Sequence, residues 1–86
     1  MDSNYVKLSN SEKGLFYRVV KLNDEKIALR LTQLGFHESS LVMLKRKAPI
    51  FKDPLLFQVG ESQIALTRKE AETIDVLEVQ GEHYHE

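Results

Sequence analysis

Apolar and polar residues alternate with a period of two over several short stretches of the chain, a pattern typical of β-strands. Residues 15–22 read Leu-Phe-Tyr-Arg-Val-Val-Lys-Leu and are rich in the aromatic and β-branched types that favour a strand. Alternating apolar residues also flank the short connection at Gly60-Glu61, which predicts a hairpin. The predicted strands are 15–22, 41–48, 55–59, 63–66 and 76–79.

The pattern changes to a helical period between the first and second predicted strands. Asn23 is a suitable N-cap, acidic residues fill the first turn, and Gly35 is a natural helix terminator. The sequence therefore predicts one helix over 24–34. Its buried side is expected to consist of Ile27, Ala28, Leu31 and Leu34.

A second, shorter helix is predicted before the last strand. Thr67 and Glu70 have the spacing of a capping box, in which each side chain accepts a hydrogen bond from the backbone amide of the other. The helix is expected over 68–74, where it buries Ala71 and Ile74.

Together these elements predict a mainly β fold, a small closed or nearly closed barrel of about five strands. One α-helix follows the first strand and a short helix precedes the last, while residues 5–14 form a lead-in turn. The alternative is a ferredoxin-like α+β sandwich, but 68–74 is too short for its second helix. For 86 residues with 42% hydrophobic content, we expect one domain over 1–81 and a disordered tail over 82–86.

Charge and composition narrow the functional classes. The 12 Lys and Arg nearly balance the 13 Asp and Glu, giving a formal net charge of −1, which disfavours nucleic acid as the main partner. The chain has no cysteine, so disulfides and thiol nucleophiles are excluded. No apolar stretch approaches the roughly 18 residues of a membrane span, so we expect a cytoplasmic protein without membrane insertion. With no visible acid and base pair, an enzyme is not expected.

Three groups of residues together resemble the FeoA family. The segment Arg30-Leu31-Thr32-Gln33-Leu34-Gly35-Phe36 is similar to that family's R-L-x-x-L-G turn out of its helix. Ala48-Pro49 with Asp53-Pro54 resembles its A-P…D-P connection. Ala65-Leu66 with Glu70-Ala71 resembles its closing strand and helix.

This resemblance implies an SH3-like β-barrel that acts as an accessory or regulatory protein of ferrous iron uptake. The implied partner is the cytoplasmic part of FeoB, the membrane GTPase that carries ferrous iron, and the family has no established catalytic residues. The alternative is a metal-responsive sensor or regulatory module related to the C-terminal SH3-like domain of DtxR-type repressors. A DNA-binding helix-turn-helix domain would need more than the roughly 20 residues that precede the barrel.

The end of the chain contains a candidate metal cluster. In an extended chain His83 and His85 lie on the same side, and together with Glu86 they could bind Fe²⁺ weakly. The competing interpretation is a disordered tail without a ligand. No other cofactor is predicted.

Two short segments are candidate protein contacts. Phe36 and His37 follow the helix stop, so Phe36 is expected outside the barrel interior, whereas His37 has the alternative of a solvated loop residue. The second segment is a loop stiffened by prolines at both ends, whose apolar residues either form a contact patch or plug the barrel. The candidate interaction residues are Phe36, His37, Pro49, Ile50, Phe51 and Asp53.

The sequence has one basic run, Lys45-Arg46-Lys47. On a regular strand Arg46 faces away from the side shared by Lys45 and Lys47, which splits the positive charge. The alternation therefore predicts a solvated strand edge here rather than a phosphate-binding track.

Overall fold

The computed structural model describes residues 5–49 and 52–79. The elements in chain order are β1 (Val6–Lys7), a 3-10 helix (Leu8–Asn10), β2 (Phe16–Leu22), α1 (Glu25–Gln33), β3 (Leu41–Lys47), β4 (Leu55–Val59), β5 (Ser62–Leu66), α2 (Arg68–Ala71) and β6 (Ile74–Glu78).

The strands form one six-stranded sheet in the order β1-β6-β2-β3-β4-β5, and every neighbouring pair is antiparallel. The predicted mainly β fold is confirmed, with its helix after the first long strand and its short helix before the last. The outermost strands, β1 and β5, do not pair with each other, so the barrel is not closed.

The core is a single cluster of apolar side chains drawn from almost every element. In the β4–β5 hairpin, the alternate residues Leu55, Phe57, Ile64 and Leu66 are buried, whereas Val59, predicted on the same face as Leu55 and Phe57, is only partly buried. The buried apolar residues are Leu8, Tyr17, Val19, Leu31, Phe36, Val42, Leu44, Leu55, Phe57, Ile64, Leu66, Ala71, Ile74 and Val76.

The segment predicted to be a lead-in turn belongs to the folded core instead. β1 pairs with β6 through Val6 opposite Val76, and the adjacent Lys7 forms an ion pair with Asp75 at 2.9 Å. Leu8 is fully buried, and the 3-10 helix packs against α2 and β6. The local sequence does not reveal this pairing, because a two-residue strand depends on a partner at the other end of the chain.

The start of α1 differs by one residue from the prediction. Asp24 is the N-cap, and its Oδ1 accepts from the amides of Lys26 at 3.0 Å and Ile27 at 3.1 Å. The side chain of Asn23, the predicted cap, instead donates to the carbonyl of Thr73 at 2.9 Å. Asn23 therefore connects the start of α1 to Thr73, the residue that precedes β6.

The predicted capping box of α2 is present. Thr67 Oγ1 accepts from the Glu70 amide at 3.0 Å, and Glu70 Oε1 accepts from the Thr67 amide at 2.9 Å. The helix is shorter than predicted, and Ile74 begins β6 rather than ending α2. Ala71 and Ile74 are nevertheless fully buried, as expected.

Candidate interaction surface

The exit of α1 is closed by a Schellman motif. The amide of Gly35 donates to the carbonyl of Thr32 at 3.0 Å, and the amide of Phe36 donates to that of Leu31 at 2.9 Å. Gly35 has a φ of +90°, a conformation that glycine adopts without steric cost. These two bonds turn the chain back so that Phe36 approaches the inner side of the helix.

The predicted exposed position of Phe36 is therefore wrong. Its side chain is fully buried, like that of Leu31, because the Schellman turn directs the residue after the glycine toward the core. Leu34, predicted on the buried side, is 54% exposed because it lies beyond the last helical residue, Gln33. Phe36 contributes to the core and presents no contact surface in this conformation.

His37 lies in the exposed loop between α1 and β3. Its amide donates to Ser40 Oγ at 2.9 Å, and its Nδ1 lies 2.9 Å from the carbonyl oxygen of Glu38. These local bonds match the loop interpretation, and the proposed contact role of His37 stays a prediction.

The two predicted contact segments are not brought together. The Phe36-His37 segment precedes β3, whereas the loop from Ala48 to Pro54 follows it. A seven-residue strand separates its ends by roughly 20 Å. A single protein interface of ordinary size can therefore be centred on only one of these two segments.

The described residues of the loop after β3 are better exposed than Phe36. Pro49 and Asp53 are exposed, and Asp53 Oδ1 accepts from the Arg68 amide at 2.8 Å, which ties the loop to the start of α2. Ile50 and Phe51 lie outside the described residues, so their contact role stays a prediction. Asp53 has a structural hydrogen bond that the sequence interpretation did not include.

Arg68 joins three separate parts of the chain. Its Nη1 donates to the carbonyl of Ser9 at 3.3 Å, and its Nη2 donates to the carbonyl of Lys52 at 3.4 Å. These bonds bring the 3-10 helix, the loop after β3 and the start of α2 to one place on the surface. Sequence reasoning assigned no role to Arg68.

A surface cleft of about 760 Å³ lies at this junction, and we call it the basic cleft. Its charged side chains are mostly positive, and Glu12 is the one negative side chain that lines it. The residues that line the basic cleft are Ser9–Lys13, Arg46–Pro49, Lys52 and Arg68.

A β-bulge explains why Arg46 reaches the basic cleft. Leu44 pairs with Phe57, but Arg46 pairs with Leu56, so the register of β3 against β4 shifts at Lys45. Without the extra residue, Arg46 would lie on the buried side, two residues after Leu44. All of Lys45–Lys47 is exposed, as expected for a solvated strand edge. Arg46 and Lys47 pair with successive β4 residues, Leu56 and Leu55, so these two side chains still lie on opposite faces of the strand.

Glu70 connects α2 with α1 and stays ionised readily. The Thr67 amide, and then the Arg30 guanidinium, hold the pKa of this carboxyl below its usual range. Arg30 Nη2 lies 3.0 Å from Glu70 Oε2. This partly exposed ion pair links α2, which carries Arg68, to α1.

The predicted metal cluster of His83, His85 and Glu86 lies outside the described residues and stays a prediction. Within residues 5–49 and 52–79, no three His, Asp or Glu side chains are grouped so that they could hold a metal ion. None of the helices in this part of the chain has the length and hydrophobicity needed to cross a membrane.

Comparison with solved structures shows the same fold in several iron-transport proteins. The FeoA-like protein from Clostridium acetobutylicum is 22% identical, with a TM-score of 0.80 over 99% of this chain and 98% of that one. The FeoA protein from Chlorobium tepidum is 27% identical, with a TM-score of 0.82 over 93% and 76% of the two chains.

A third structure is the zinc complex of FeoA from Stenotrophomonas maltophilia, described as a prokaryotic SH3 domain protein and proposed as a ferrous iron transport activating factor. It is 33% identical, with a TM-score of 0.72 over 83% of this chain and 88% of that one. A manganese-dependent transcriptional repressor shares the fold at 12% identity, with a TM-score of 0.79 over 92% of this chain and 44% of the repressor.

Among curated proteins, none is significantly similar to the chain. The model of the FeoA domain family, however, matches residues 6–78, which includes every element from β1 to β6. The chain belongs to the FeoA domain family, linked to ferrous iron transport, and has the SH3-like fold of its members.

Proposed function

We propose that this protein is a non-enzymatic accessory protein of ferrous iron uptake that binds and regulates the cytoplasmic part of a FeoB-type membrane GTPase transporter. The observation that carries the proposal is the match of the FeoA domain model to residues 6–78. The 33% identity to the Stenotrophomonas maltophilia protein, itself proposed as a transport activating factor, supports it.

The surface of the protein is consistent with a binding role. The basic cleft and the exposed residues Lys52 and Asp53 of the loop after β3 place charged groups at one end of the barrel, where a partner can contact them. A small domain binds a larger protein through exposed surfaces such as these, because its few core residues are needed for stability.

A clean gene deletion tests the proposal in the cell. We expect the initial rate of radioactive ferrous iron uptake to fall, and a plasmid copy of the gene to restore it. A deletion strain that takes up ferrous iron at the wild-type rate contradicts the proposal.

A binding experiment tests the partner. The purified cytoplasmic part of the transporter is immobilised, and binding of the full chain is measured by surface plasmon resonance. The heat-unfolded chain is the control, because specific binding requires the folded surface. Equal responses from the folded and unfolded chain contradict the proposed partner.

A second candidate function is weak Fe²⁺ binding at His83, His85 and Glu86, in a metal-responsive regulatory role. The zinc complex of the Stenotrophomonas maltophilia relative favours a test, although that metal belongs to that protein. Anaerobic calorimetry with Fe²⁺ compares the full chain with a chain that ends at residue 81. We expect heat only from the full chain; no heat, or equal heat from both, contradicts this candidate.

A further inference from the structure

We infer that the basic cleft is a docking site for an acidic segment of a partner protein, and that an apolar side chain of this segment occupies the adjoining pocket. This inference goes beyond the proposed function, because it specifies the chemistry of the bound segment whichever protein supplies it.

The charge of the basic cleft differs in sign from that of the whole chain. Five lining side chains are positive and one is negative, whereas the chain carries a formal net charge of −1. The ion pairs within the described residues, Lys7 with Asp75 and Arg30 with Glu70, lie outside the basic cleft. Among the described residues, the cations of the basic cleft therefore have no ion-pair partner, and a ligand with several carboxylates complements them.

The walls of the basic cleft are held in place by hydrogen bonds. Tyr17, 4% exposed, accepts at its hydroxyl from the Glu12 amide at 2.9 Å, and the Gly14 amide donates to the Leu44 carbonyl at 3.0 Å. The segment that carries Lys13 is thus fixed against β2 and β3. A preformed wall lowers the conformational entropy lost when a ligand binds.

Arg68 lies on the opposite side of the basic cleft, oriented by two long hydrogen bonds. Its guanidinium is bonded to the carbonyls of Ser9 and Lys52, and it has more N–H donors than these two bonds use. A planar guanidinium that is already oriented binds a carboxylate with good geometry.

An apolar pocket of about 450 Å³ shares one wall, Arg46–Pro49, with the basic cleft. Its other lining residues are Pro54–Leu56 and Ala65, and Ala65 is exposed. A ligand that only carries negative charge leaves this pocket unused. A peptide with an apolar side chain beside its carboxylates fills both.

The edge of β3 favours an extended peptide as the occupant. β2 pairs with β3 only as far as Met43, so within the described residues Arg46 and Lys47 pair with β4 alone and Lys45 is the bulge residue between the paired positions. An extended segment can form backbone hydrogen bonds to such an open edge. A nucleic acid is less suited, because within residues 5–49 and 52–79 no aromatic side chain lines the basic cleft for base stacking.

The test uses the full chain and a short fluorescein-labelled peptide in which Leu-Leu is flanked on both sides by Glu and Asp. Binding is followed by fluorescence anisotropy. We expect the double variant Arg46→Gln, Lys47→Gln to bind about tenfold more weakly than wild type, because two charge-assisted contacts are lost. The matched control is Lys21→Gln, Lys26→Gln, which removes two exposed charges outside the basic cleft and should bind like wild type.

Two further arms separate the contributions. A peptide with Ser-Ser in place of Leu-Leu should bind about tenfold more weakly to wild type, because the apolar pocket is left empty. The variant Lys13→Gln, Lys52→Gln repeats the charge test away from β3, in case the first variant fails to fold. Thermal melts of all variants verify folding.

Several results overturn the inference. These are no binding at millimolar peptide, equal weakening by the basic-cleft and control variants, or stronger binding of ATP, single-stranded DNA or phosphatidylserine vesicles than of the peptide. Binding to the transporter is measured separately, so a failed peptide test leaves the proposed function standing.

Discussion

The chain segments at the two ends of β3 have different roles. At the α1 exit, a Schellman motif folds Phe36 into the core. At the other end, a bulge at Lys45 and the bonds of Arg68 gather positive side chains at the surface. One loop therefore stabilises the fold, and the other builds a surface for a ligand.

This difference shows that residue type alone does not decide the role of a segment. The apolar Phe36 becomes a core residue because backbone hydrogen bonds turn it inward, and Arg46 lies at the surface because a bulge changes the register of its strand. The experiments below test the two roles, in decreasing order of the expected effect.

The largest effect is expected for Phe36→Ala at the α1 exit. Removing a fully buried aromatic side chain should lower the free energy of unfolding by about 3 to 5 kcal/mol. Thermal and urea denaturation measure this loss. The control Leu34→Ala, at a position 54% exposed, should change it by much less. Equal stability of the two variants would place Phe36 outside the core.

At the opposite end, Phe51→Ala distinguishes the two interpretations of the loop. If Phe51 is a contact residue, the fold stays cooperative and partner binding weakens by about 2 kcal/mol. We expect this outcome. If Phe51 plugs the barrel, stability falls by roughly 3 to 5 kcal/mol instead. Thermal melts run beside a binding titration separate these cases, and no change in either would contradict both.

A smaller effect is expected for Thr67→Ala, which removes one half of the capping box next to Arg68. Loss of the N-cap bond to the Glu70 amide should reduce stability by about 1 kcal/mol. Urea denaturation measures this loss of stability, and Thr32→Ala, at an exposed position of α1, is the matched control. A loss of equal size in Thr32→Ala would show that the capping box is not the cause.

The smallest effect is expected from Glu70, whose ion pair with Arg30 links α2 to α1. Its ionisation makes the stability of the fold depend on pH in the acid range. Its pKa is lowered in the folded protein, so it stabilises the fold above the pKa of a free carboxyl, and this contribution is lost as pH falls through the folded pKa. The pKa of Asp75 is also lowered, mainly by the hydrogen bond from Lys7 and then by the one from Asn23. Asp75 therefore also stabilises the fold less as the pH falls.

Urea denaturation at a series of acid pH values measures this dependence. We expect Glu70→Gln to flatten the decline of stability with falling pH, while Glu61→Gln in the exposed β4–β5 turn keeps it. An unchanged decline in Glu70→Gln means that other carboxylates cause the acid sensitivity.

The sequence by itself determined the features that depend on local patterns. The alternation in the β4–β5 hairpin, the Thr67 and Glu70 capping box, and the stop at Gly35 each act within a few residues, so their effect can be predicted without the rest of the fold. The family resemblance also came from ordered local motifs. The burial of Phe36 was predictable in principle, because an apolar residue directly after a helix-ending glycine is characteristic of a Schellman motif.

The tertiary structure decided the features that depend on distant partners. β1 forms because it pairs with β6. The basic cleft forms because Arg68 binds Ser9 and Lys52, which are far from it in the sequence. The bulge at Lys45 follows from the register of β3 against β4, which no local pattern specifies. Long-range pairing and register depend on the packing of the whole core, so they had to be observed.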